Sequence, residues 1–538
     1  MQGLMMNRPL LIADILEFAA QTHATAEVVS ARVEGDVNRL GYARIRDRAA
    51  QLAHALTGAG VGRGDRVATL AWNGHRHLEL YYGISGMGAV CHTINPRLPR
   101  GQMEYILGHA APKLLFADVT FEPILGGIDL PDGLRVVWLA EEDAAPGESY
   151  EAMIGDQRPE FDWPELDEDA AAGLCYTSGT TGRPKGALYS HRSTVLHALS
   201  VIASIPGALA PSQRILPVVP LFHVNAWGLP YAAPLAGASV VFPGPRLDGA
   251  SLWDLMDAEA VTSAWGVPTV WMGLKAEIET RGALPGAFKE VVVGGSAAPR
   301  PLIEFFERQG VGVNHAWGMT EMSPIGTQGV LPADMEDMPL GERVAVKGAQ
   351  GRRIFGVDLK IVGEDGERLP HDGQAQGELA VRGPAVVSGY FEDEEASRAA
   401  IDAEGWFRTG DVASIDERGF LRIADRSKDL IKSGGEWISS LDLEDVVMKH
   451  PRVAACAVIA VPHEKWDERP LLVAVPAGEA PQASEIMELL SKDFARWQLP
   501  DDVVWVEELP LTATGKVSKL TLRQTHGDHV LPDVAAAG

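Results

Sequence analysis

Apolar and polar residues follow two distinct periods along the first 170 residues of the chain. Apolar positions at helical spacing predict helices over residues 40–56, 75–87 and 101–111, and short apolar runs predict strands over 66–72, 88–93 and 114–117. Strands and helices that alternate in this way predict βαβ units and a layered sheet. Ile12, Ile15, Leu16 and Ala19 also share one helical face, so we expect an amphipathic helix near the start rather than a signal peptide.

The same alternation returns over residues 214–308, and the pattern then changes. Residues 340–420 are rich in strand-forming alternation, with a hairpin signal at 363–367, and predict a small β-barrel. After a charged stretch at 424–429, helices are predicted over 441–449 and 483–497 and strands over 453–461 and 502–506. The predicted fold is therefore α/β: a large N-terminal domain (1–424) of layered α/β subdomains plus the barrel, and a small α+β C-terminal domain (425–538).

Composition and charge exclude several classes of partner. The 538 residues carry a net charge of −26, which disfavours nucleic acid and anionic membrane surfaces. Residues 226–243 are the least polar stretch, but their prolines and glycines predict buried core rather than an integral membrane helix. The three distant cysteines form no disulfide or metal-binding pattern, so we expect a cytoplasmic protein.

Residues 176–186 hold the most informative pattern in the chain. The loop Tyr-Thr-Ser-Gly-Thr-Thr-Gly-Arg-Pro-Lys-Gly offers a polyphosphate backbone N–H groups, the hydroxyls of Thr177, Ser178, Thr180 and Thr181, and the charge of Lys185. Gly179 is one of the glycines that permit close approach of a phosphate to the backbone. The loop is not a Walker P-loop, because Gly186 follows Lys185. Taken alone, a loop of this composition is more often a flexible surface connection.

Two further patterns follow predicted strands. Gly294 and Gly295, with Ser296 and Ala297, allow a flat ligand such as adenine to approach the backbone, although a tight turn is an equal alternative. Residues 314–321 end in an aromatic residue, a glycine turn, a hydroxyl and a carboxylate, which suit a purine, phosphate and Mg²⁺. These residues are Trp317, Gly318, Met319, Thr320 and Glu321.

Three patterns lie nearer the C-terminus, and each alone would be an ordinary turn or linker. Residues 406–411 end in Asp411, whose two carboxylate oxygens match a cis-diol. Residues 425–436 combine charges with a glycine pair, and residues 510–516 end in Gly515 and Lys516.

Five of these six patterns, all but the one at 294–297, resemble, in this order from residue 176 to 516, the motifs of the adenylate-forming superfamily of acyl-CoA synthetases, luciferases and peptide-synthetase adenylation domains. The resemblance implies that Thr180 and Glu321 bind magnesium, that Asp411 and Arg426 bind ribose, and that Lys516 is the catalytic lysine. It implies that Asp425 is the hinge of a mobile C-terminal domain. It further implies a coenzyme A channel formed by Lys432, Gly434, Gly435 and Trp437.

Residues 221–227 and 432–440 resemble the fatty and medium/short-chain acyl-CoA ligase branch. In that branch His223, with Lys516 and Glu321, takes part in catalysis, and the acid contacts His223, Val224, Trp227, Gly295 and Met322. We therefore expect ATP-dependent formation of an acyl-adenylate from a short- or medium-chain carboxylic acid and its transfer to coenzyme A. A long-chain ligase, another acyl acceptor and a non-catalytic nucleotide-binding protein stay open as alternatives. Related ligases are often homodimers, so we expect one here.

Overall fold

The computed structural model describes residues 1, 3–177, 183–205, 207–434, 436–512 and 515–532. Its first part contains two seven-stranded sheets. Their strands are β1 (Glu27–Ala31), β2 (Val37–Gly41), β3 (Arg66–Leu70), β4 (Val90–Thr93), β5 (Leu114–Ala117), β6 (Arg135–Trp138), β7 (Glu148–Ser149), β8 (Ala171–Tyr176), β9 (Gly186–Ser190), β10 (Arg214–Pro217), β11 (Ser239–Phe242), β12 (Ser263–Gly266), β13 (Glu290–Val293) and β14 (Gly312–His315).

Twelve helices of this part cover the sheets. They are α1 (Ile12–Thr22), α2 (Tyr42–Gly58), α3 (His75–Gly86), α4 (Arg100–Ala110), α5 (Glu122–Leu125), α6 (Tyr150–Gly155), α7 (His191–Ser204), α8 (Leu229–Ala236), α9 (Gly249–Ala258), α10 (Pro268–Arg281), α11 (Arg300–Arg308) and α12 (Leu340–Lys347).

The two sheets share a layered, mainly parallel design, which confirms the expected α/β class. One sheet has the order β7-β6-β5-β3-β4-β8-β9 and the other has the order β14-β13-β12-β10-β11-β1-β2. Helix α1 buries Ile12, Ile15, Leu16 and Ala19, the four residues that the sequence placed on one face. Burying one such aliphatic side chain stabilises the fold by about 1.5–3 kcal/mol. Residues 226–243 are also largely buried, in and around α8 and β11.

The β-rich region does not form the expected barrel. It contains β15 (Trp317–Gly318), β16 (Ile325–Gln328), β17 (Arg352–Arg353), β18 (Asp358–Val362), β19 (Gly377–Arg382), β20 (Phe407–Ile415), β21 (Leu421–Arg426) and helix α13 (Glu394–Ala400). Strands β15–β17 form one sheet and β18–β21 another, joined by a bridge between Arg352 and Phe420. Within the described residues both sheets keep open edges, whereas a barrel requires every strand to pair on both sides.

The last part of the chain is a small α+β unit. Its elements are β22 (Ile431–Ser433), β23 (Glu436–Ile438), α14 (Ser440–Val447), β24 (Val453–His463), β25 (Asp467–Pro476), α15 (Ala483–Leu490), β26 (Asp502–Trp505) and α16 (Lys519–His526). The helix predicted over 483–497 is wrong in length, since α15 ends at Leu490 and the chain turns so that Phe494 packs on the local core. No helix in the described part of the chain is long and apolar enough to cross a membrane.

Candidate active site

The carboxyl ends of β10, β12, β13 and β14 lie side by side at one edge of their sheet, because these four strands are parallel neighbours. Loops that leave parallel strands at this edge are where α/β folds place ligand-binding residues. The segments after β10, β13 and β14 begin at Val218, Gly294 and Ala316. The sequence had singled out residues in each of these segments.

Gly294 and Gly295 leave room for two larger side chains. A Cβ at Gly294 would lie 3.0 Å from Cη2 of Trp227, and one at Gly295 would lie 3.5 Å from Cε of Lys516. Gly295 also has a φ of +82°, which favours glycine. Trp227 from the first part of the chain and Lys516 from the last therefore meet at this glycine pair. Gly295, Ser296 and Ala297 are exposed at the surface of the edge.

Trp227 belongs to a left-handed turn that the sequence did not predict. Val224, Asn225, Ala226 and Trp227 have φ of 40°, 55°, 44° and 58°, and Gly228 completes the run at 82°. Left-handed backbone costs non-glycine residues about 1–2 kcal/mol each. Such a conformation persists only where its surroundings enforce it. Of these residues, Asn225 and Gly228 tolerate positive φ, but Val224 is β-branched, so nothing local indicated the run.

His223 precedes this turn and is half-buried. Burial, with a smaller contribution from the nearby Lys516 charge, lowers the pKa of His223 to about 3. The imidazole is therefore neutral at physiological pH and presents a hydrogen-bonding group without a charge. Val224, the next predicted residue, donates its backbone N–H to Sγ of Cys175 at 3.3 Å.

Asp411 contacts two of the other predicted residues, Trp317 and Arg426. Its Oδ2 accepts a hydrogen bond from Nε1 of Trp317 at 2.9 Å, and its Oδ1 pairs with Nε of Arg426 at 2.7 Å. Asp411 and Arg426 are partners in the ladder between β20 and β21, which explains their contact. Burial raises the pKa of Asp411, while Arg426 and Trp317 oppose that shift. Three residues from three separate motifs thus form one polar cluster.

Glu321 is buried in a short 3-10 helix, Thr320–Met322. Its Oε1 accepts a hydrogen bond from the Tyr390 hydroxyl at 2.7 Å, and Nζ of Lys185 lies 4.9 Å from the centroid of the Tyr390 ring. Burial raises the pKa of Glu321, whereas Tyr390, Arg426 and Lys185 favour the charged form. Sequence reasoning missed Tyr390, because an isolated tyrosine in a loop gives no signal.

The residues around Glu321 are held by close packing. The Thr320 carbonyl accepts a hydrogen bond from the Tyr189 hydroxyl at 2.6 Å. At Gly318 a Cβ would lie 2.0 Å from a backbone oxygen, so only glycine fits there. Met319 is half-buried and Met322 is fully buried.

The two ends of the predicted phosphate loop face each other across β8 and β9. Thr177 N–H donates to the Lys185 carbonyl at 2.9 Å, and Lys185 N–H donates to Oγ1 of Thr177 at 3.2 Å. Residues 178–182, which include the predicted Ser178, Gly179, Thr180 and Thr181, lie outside the described residues.

Lys516 is brought into this edge by a contact between the two parts of the chain. Oγ1 of Thr269 donates to the Gly515 carbonyl at 3.4 Å, next to the approach of Lys516 to Gly295. Burial and the nearby Arg426 charge, opposed by Asp411, lower the pKa of Lys516 to about 8. A second contact, from Arg300 N–H to Asp445 at 3.0 Å, lies on the same face.

Asp425 lies inside β21 and is almost completely buried, rather than in a solvated linker. Its Oδ2 accepts hydrogen bonds from the Ser440 backbone N–H at 3.1 Å and from the Ser440 hydroxyl. Lys432, Gly434 and Trp437 lie farther on, in the β22–β23 hairpin. Their contacts are with Glu468, with Trp466 and with each other, all within the last part of the chain. Gly435 is outside the described residues.

The chain is similar to known proteins over nearly its whole length. The AMP-binding enzyme family matches residues 16–391, and the AMP-binding enzyme C-terminal domain matches residues 442–516. The 3-methylmercaptopropionyl-CoA ligase of Ruegeria pomeroyi is 49% identical, over 98% of this chain and 99% of that protein. The medium-chain-fatty-acid–CoA ligase of Ectopseudomonas oleovorans is 48% identical, over 99% of this chain and 98% of that protein. The crystal structure of the anthranilate CoA ligase AuaEII with anthranoyl-AMP has a TM-score of 0.86 at 25% identity, covering 96% of this chain and 98% of that chain.

The chain belongs to the AMP-binding enzyme family, and within it to the acyl-CoA ligases. This confirms the family, the enzyme class and the two-part α/β fold that the order of the motifs predicted.

Proposed function

We propose that this ligase activates short- and medium-chain carboxylic acids, with 3-(methylthio)propionate preferred, and uses ATP and coenzyme A as its other substrates. The observation that carries the proposal is the meeting of Trp227 and Lys516 at Gly294 and Gly295. An acid bound there would have a catalytic cation at its carboxylate and an apolar indole wall near its tail. A wall this close suits a short chain, in keeping with the names of the two relatives, a 3-methylmercaptopropionyl-CoA ligase and a medium-chain-fatty-acid–CoA ligase.

In this proposal the nucleotide lies along the strand edge. Residues 177–185 cradle the β- and γ-phosphates, and Gly295, Ser296, Ala297 and Trp317 frame adenine. Asp411 and Arg426 take the ribose hydroxyls. The Asp411 carboxylate is already fixed by Trp317 and Arg426, which orients its oxygens before the nucleotide arrives. Such preorganisation reduces the ordering that binding requires.

The acid is expected to contact His223, Val224, Trp227, Gly295 and Met322. Lys516 stabilises the charge that develops when a carboxylate oxygen attacks the α-phosphorus. The bond from that phosphorus to pyrophosphate breaks, pyrophosphate leaves with the electron pair, and the acyl-adenylate remains. A charged group at such a position is worth about 2.7–4 kcal/mol of the barrier. The neutral imidazole of His223 can orient the carboxylate without a second charge.

Magnesium fits the chemistry of this site. Glu321 is a buried carboxylate that accepts a hydrogen bond from Tyr390, and a hard cation prefers such oxygen ligands. No group of three His, Cys, Asp or Glu able to hold a metal occurs in the part of the chain that the structure describes, which is in keeping with an ion held largely by substrate phosphates. Glu321 and Thr180 would hold it, and it would neutralise phosphate charge.

The second step requires the last part of the chain to turn. We propose that residues 425–538 rotate about Asp425, against an N-terminal domain of residues 1–424. Rotation would withdraw Lys516 and bring Lys432, Gly434, Gly435 and Trp437 to the acyl-adenylate as a coenzyme A channel. The coenzyme A thiolate then attacks the acyl carbon, the carbon–oxygen bond to phosphate breaks, and AMP leaves. A homodimer and a cytoplasmic location stay predictions.

The test is AMP release by the purified protein with ATP, magnesium and coenzyme A across acids from 3-(methylthio)propionate and butyrate to octanoate, palmitate and benzoate. We expect the highest kcat/KM for 3-(methylthio)propionate, and a shift toward octanoate in Trp227→Ala. Trp253→Ala is the matched control, because Trp253 lies in α9 and its hydrogen bond and cation–π contact are with Ala283 and Arg281, which are not predicted site residues. An optimum at palmitate in the wild type would contradict a fixed wall and make Trp227 a movable gate. AMP release without coenzyme A would indicate another acceptor.

A further inference from the structure

A side chain of the other seven-stranded sheet holds the segment that leads to the left-handed turn. Asn73 follows β3 and is buried. Its Nδ2 donates to the carbonyls of Pro217 at 2.7 Å and Val219 at 2.9 Å, and its Oδ1 accepts from Leu221 N–H at 2.7 Å. One amide thus makes three hydrogen bonds to alternate residues of the backbone just before His223. Its hydrogen-bonding groups match this stretch in both sense and spacing.

A second side chain, that of Tyr81, contacts both the same backbone and the turn itself. The Tyr81 hydroxyl, from α3, lies 2.5 Å from the Leu221 carbonyl and 3.1 Å from Oδ1 of Asn225. The rings of Trp72 and Phe222 meet edge to face, with centroids 6.2 Å apart. Residues 72–81 therefore contact both the entry to the turn and its second residue.

The segment that carries Asn73 is itself fixed. Trp72 N–H donates to Oδ2 of Asp118 at 2.6 Å, and its carbonyl lies 3.1 Å from Nδ1 of His77. Two residues beyond Asn73, His75 N–H donates to Oγ of Ser30 at 2.9 Å. The support for the turn is therefore a hydrogen-bonded part of the β3–α3 connection.

The turn needs such support, because four consecutive non-glycine residues with positive φ do not hold that conformation alone. We infer that Asn73, assisted by Tyr81, is a positioning residue that sets where Trp227 and His223 stand against Gly294 and Gly295. Asn73 thereby sets the length of the acyl pocket from its place on the other seven-stranded sheet, without touching the acid. This rests on the proposed function, in which Trp227 and His223 face the acid.

The experiment compares Asn73→Ala with wild type in kcat/KM for 3-(methylthio)propionate and for octanoate. The ratio of the two does not depend on how much of the protein is correctly folded. One methylene group changes kcat/KM by a factor of at least about ten in a fixed pocket. We therefore expect the ratio of kcat/KM for 3-(methylthio)propionate to that for octanoate to fall by roughly tenfold when Trp227 is no longer held in place. The KM for ATP should change little, since the nucleotide residues lie on other elements.

Asn38→Ala is the matched control, because Oδ1 of Asn38 makes no hydrogen bond to the described residues. It should keep the wild-type ratio. If Asn73→Ala keeps that ratio while its melting temperature falls, Asn73 is merely structural and the inference is wrong.

Should Asn73→Ala fail to fold, Tyr81→Phe decides, since it removes only one hydroxyl. A smaller fall in the same ratio would support the inference, and an unchanged ratio would overturn it. A wild-type protein that makes no acyl-CoA from any acid would instead overturn the proposed function.

Discussion

The loop that carries Lys516 and the β22–β23 hairpin both belong to the last part of the chain, yet their surroundings differ. The loop docks on the first part, through Thr269 to Gly515 and through Lys516 to Gly295. The hairpin packs only on its own unit among the contacts described above. There Trp437 and Trp466 keep 45% and 42% of their surface exposed.

Under the proposed function, the observed arrangement serves the first step, because among the contacts described above the Lys516 loop reaches Gly295 and the hairpin does not. The proposal requires both surfaces at the same carbonyl in turn, so we expect the exposed hairpin to be the surface used second. The two surfaces should therefore respond to substitution in opposite half-reactions, and the predictions below separate them in order of decreasing effect.

The largest effect is expected for Lys516→Ala. Loss of the cation should slow acyl-adenylate formation by about 10²–10³-fold, because that charge acts only as the transition state forms. Formation of the thioester from supplied acyl-adenylate should remain nearly normal. Pyrophosphate release and thioester formation measure the two halves, and Lys492→Ala, an exposed lysine, is the control. An equal loss in both halves would remove the distinction between the two surfaces.

Asp425→Pro should give the opposite result. Proline fixes φ near −65° and removes an N–H, so the strand could not turn at this residue. We expect thioester formation from acyl-adenylate to fall on the order of tenfold to a hundredfold, through misplacement of the hairpin, with adenylation less affected. Asp425→Ala is the matched control, since it loses the same bonds to Ser440 but keeps a rotatable backbone. If the two variants behave alike, the pivot is elsewhere.

The sequence predicted several strands of the two sheets from local patterns, but not β1, β2 or β6. Strand β5 matches the predicted 114–117. Asp411, Arg426 and Trp317, which the motifs assign to the nucleotide site, contact one another in the structure. What it missed depends on contacts between distant segments. The left-handed turn is enforced partly by Tyr81 and Cys175, and Tyr390 reaches Glu321 across 69 residues. The open sheets differ from the predicted barrel for the same reason, since closure depends on which strand edges meet.

Gly434→Ala tests the hairpin directly. Gly434 has a φ of +61°, and a Cβ there would lie 2.8 Å from Cε3 of Trp466. We expect thioester formation to fall by roughly tenfold, because strain of about 1–2 kcal/mol would displace the hairpin. Gly478→Ala carries similar backbone strain at φ +90° but has open space around it, so it controls for strain alone. Adenylation should be unchanged in both variants; equal effects of both on thioester formation would contradict a specific role for Gly434.

The smallest expected effect is the pH dependence of the two half-reactions, adenylation and thioester formation. Its test needs no substitution of the hairpin or hinge. Burial lowers the pKa of Lys516 to about 8, so its charge is present below that pH and is lost as pH rises through it. The kcat/KM for adenylation, which reports groups of the free enzyme, should therefore be halved near pH 8. Thioester formation from acyl-adenylate should instead rise over the same range, because more of the coenzyme A thiol is ionised as the pH rises. Lys516→Arg keeps its charge far beyond pH 8, so any adenylation it retains should lose the alkaline decline. If the alkaline decline persists in Lys516→Arg, the decline belongs to another titrating group. The Lys516 surface would then be distinguished from the hairpin by its position in the site and not by its charge.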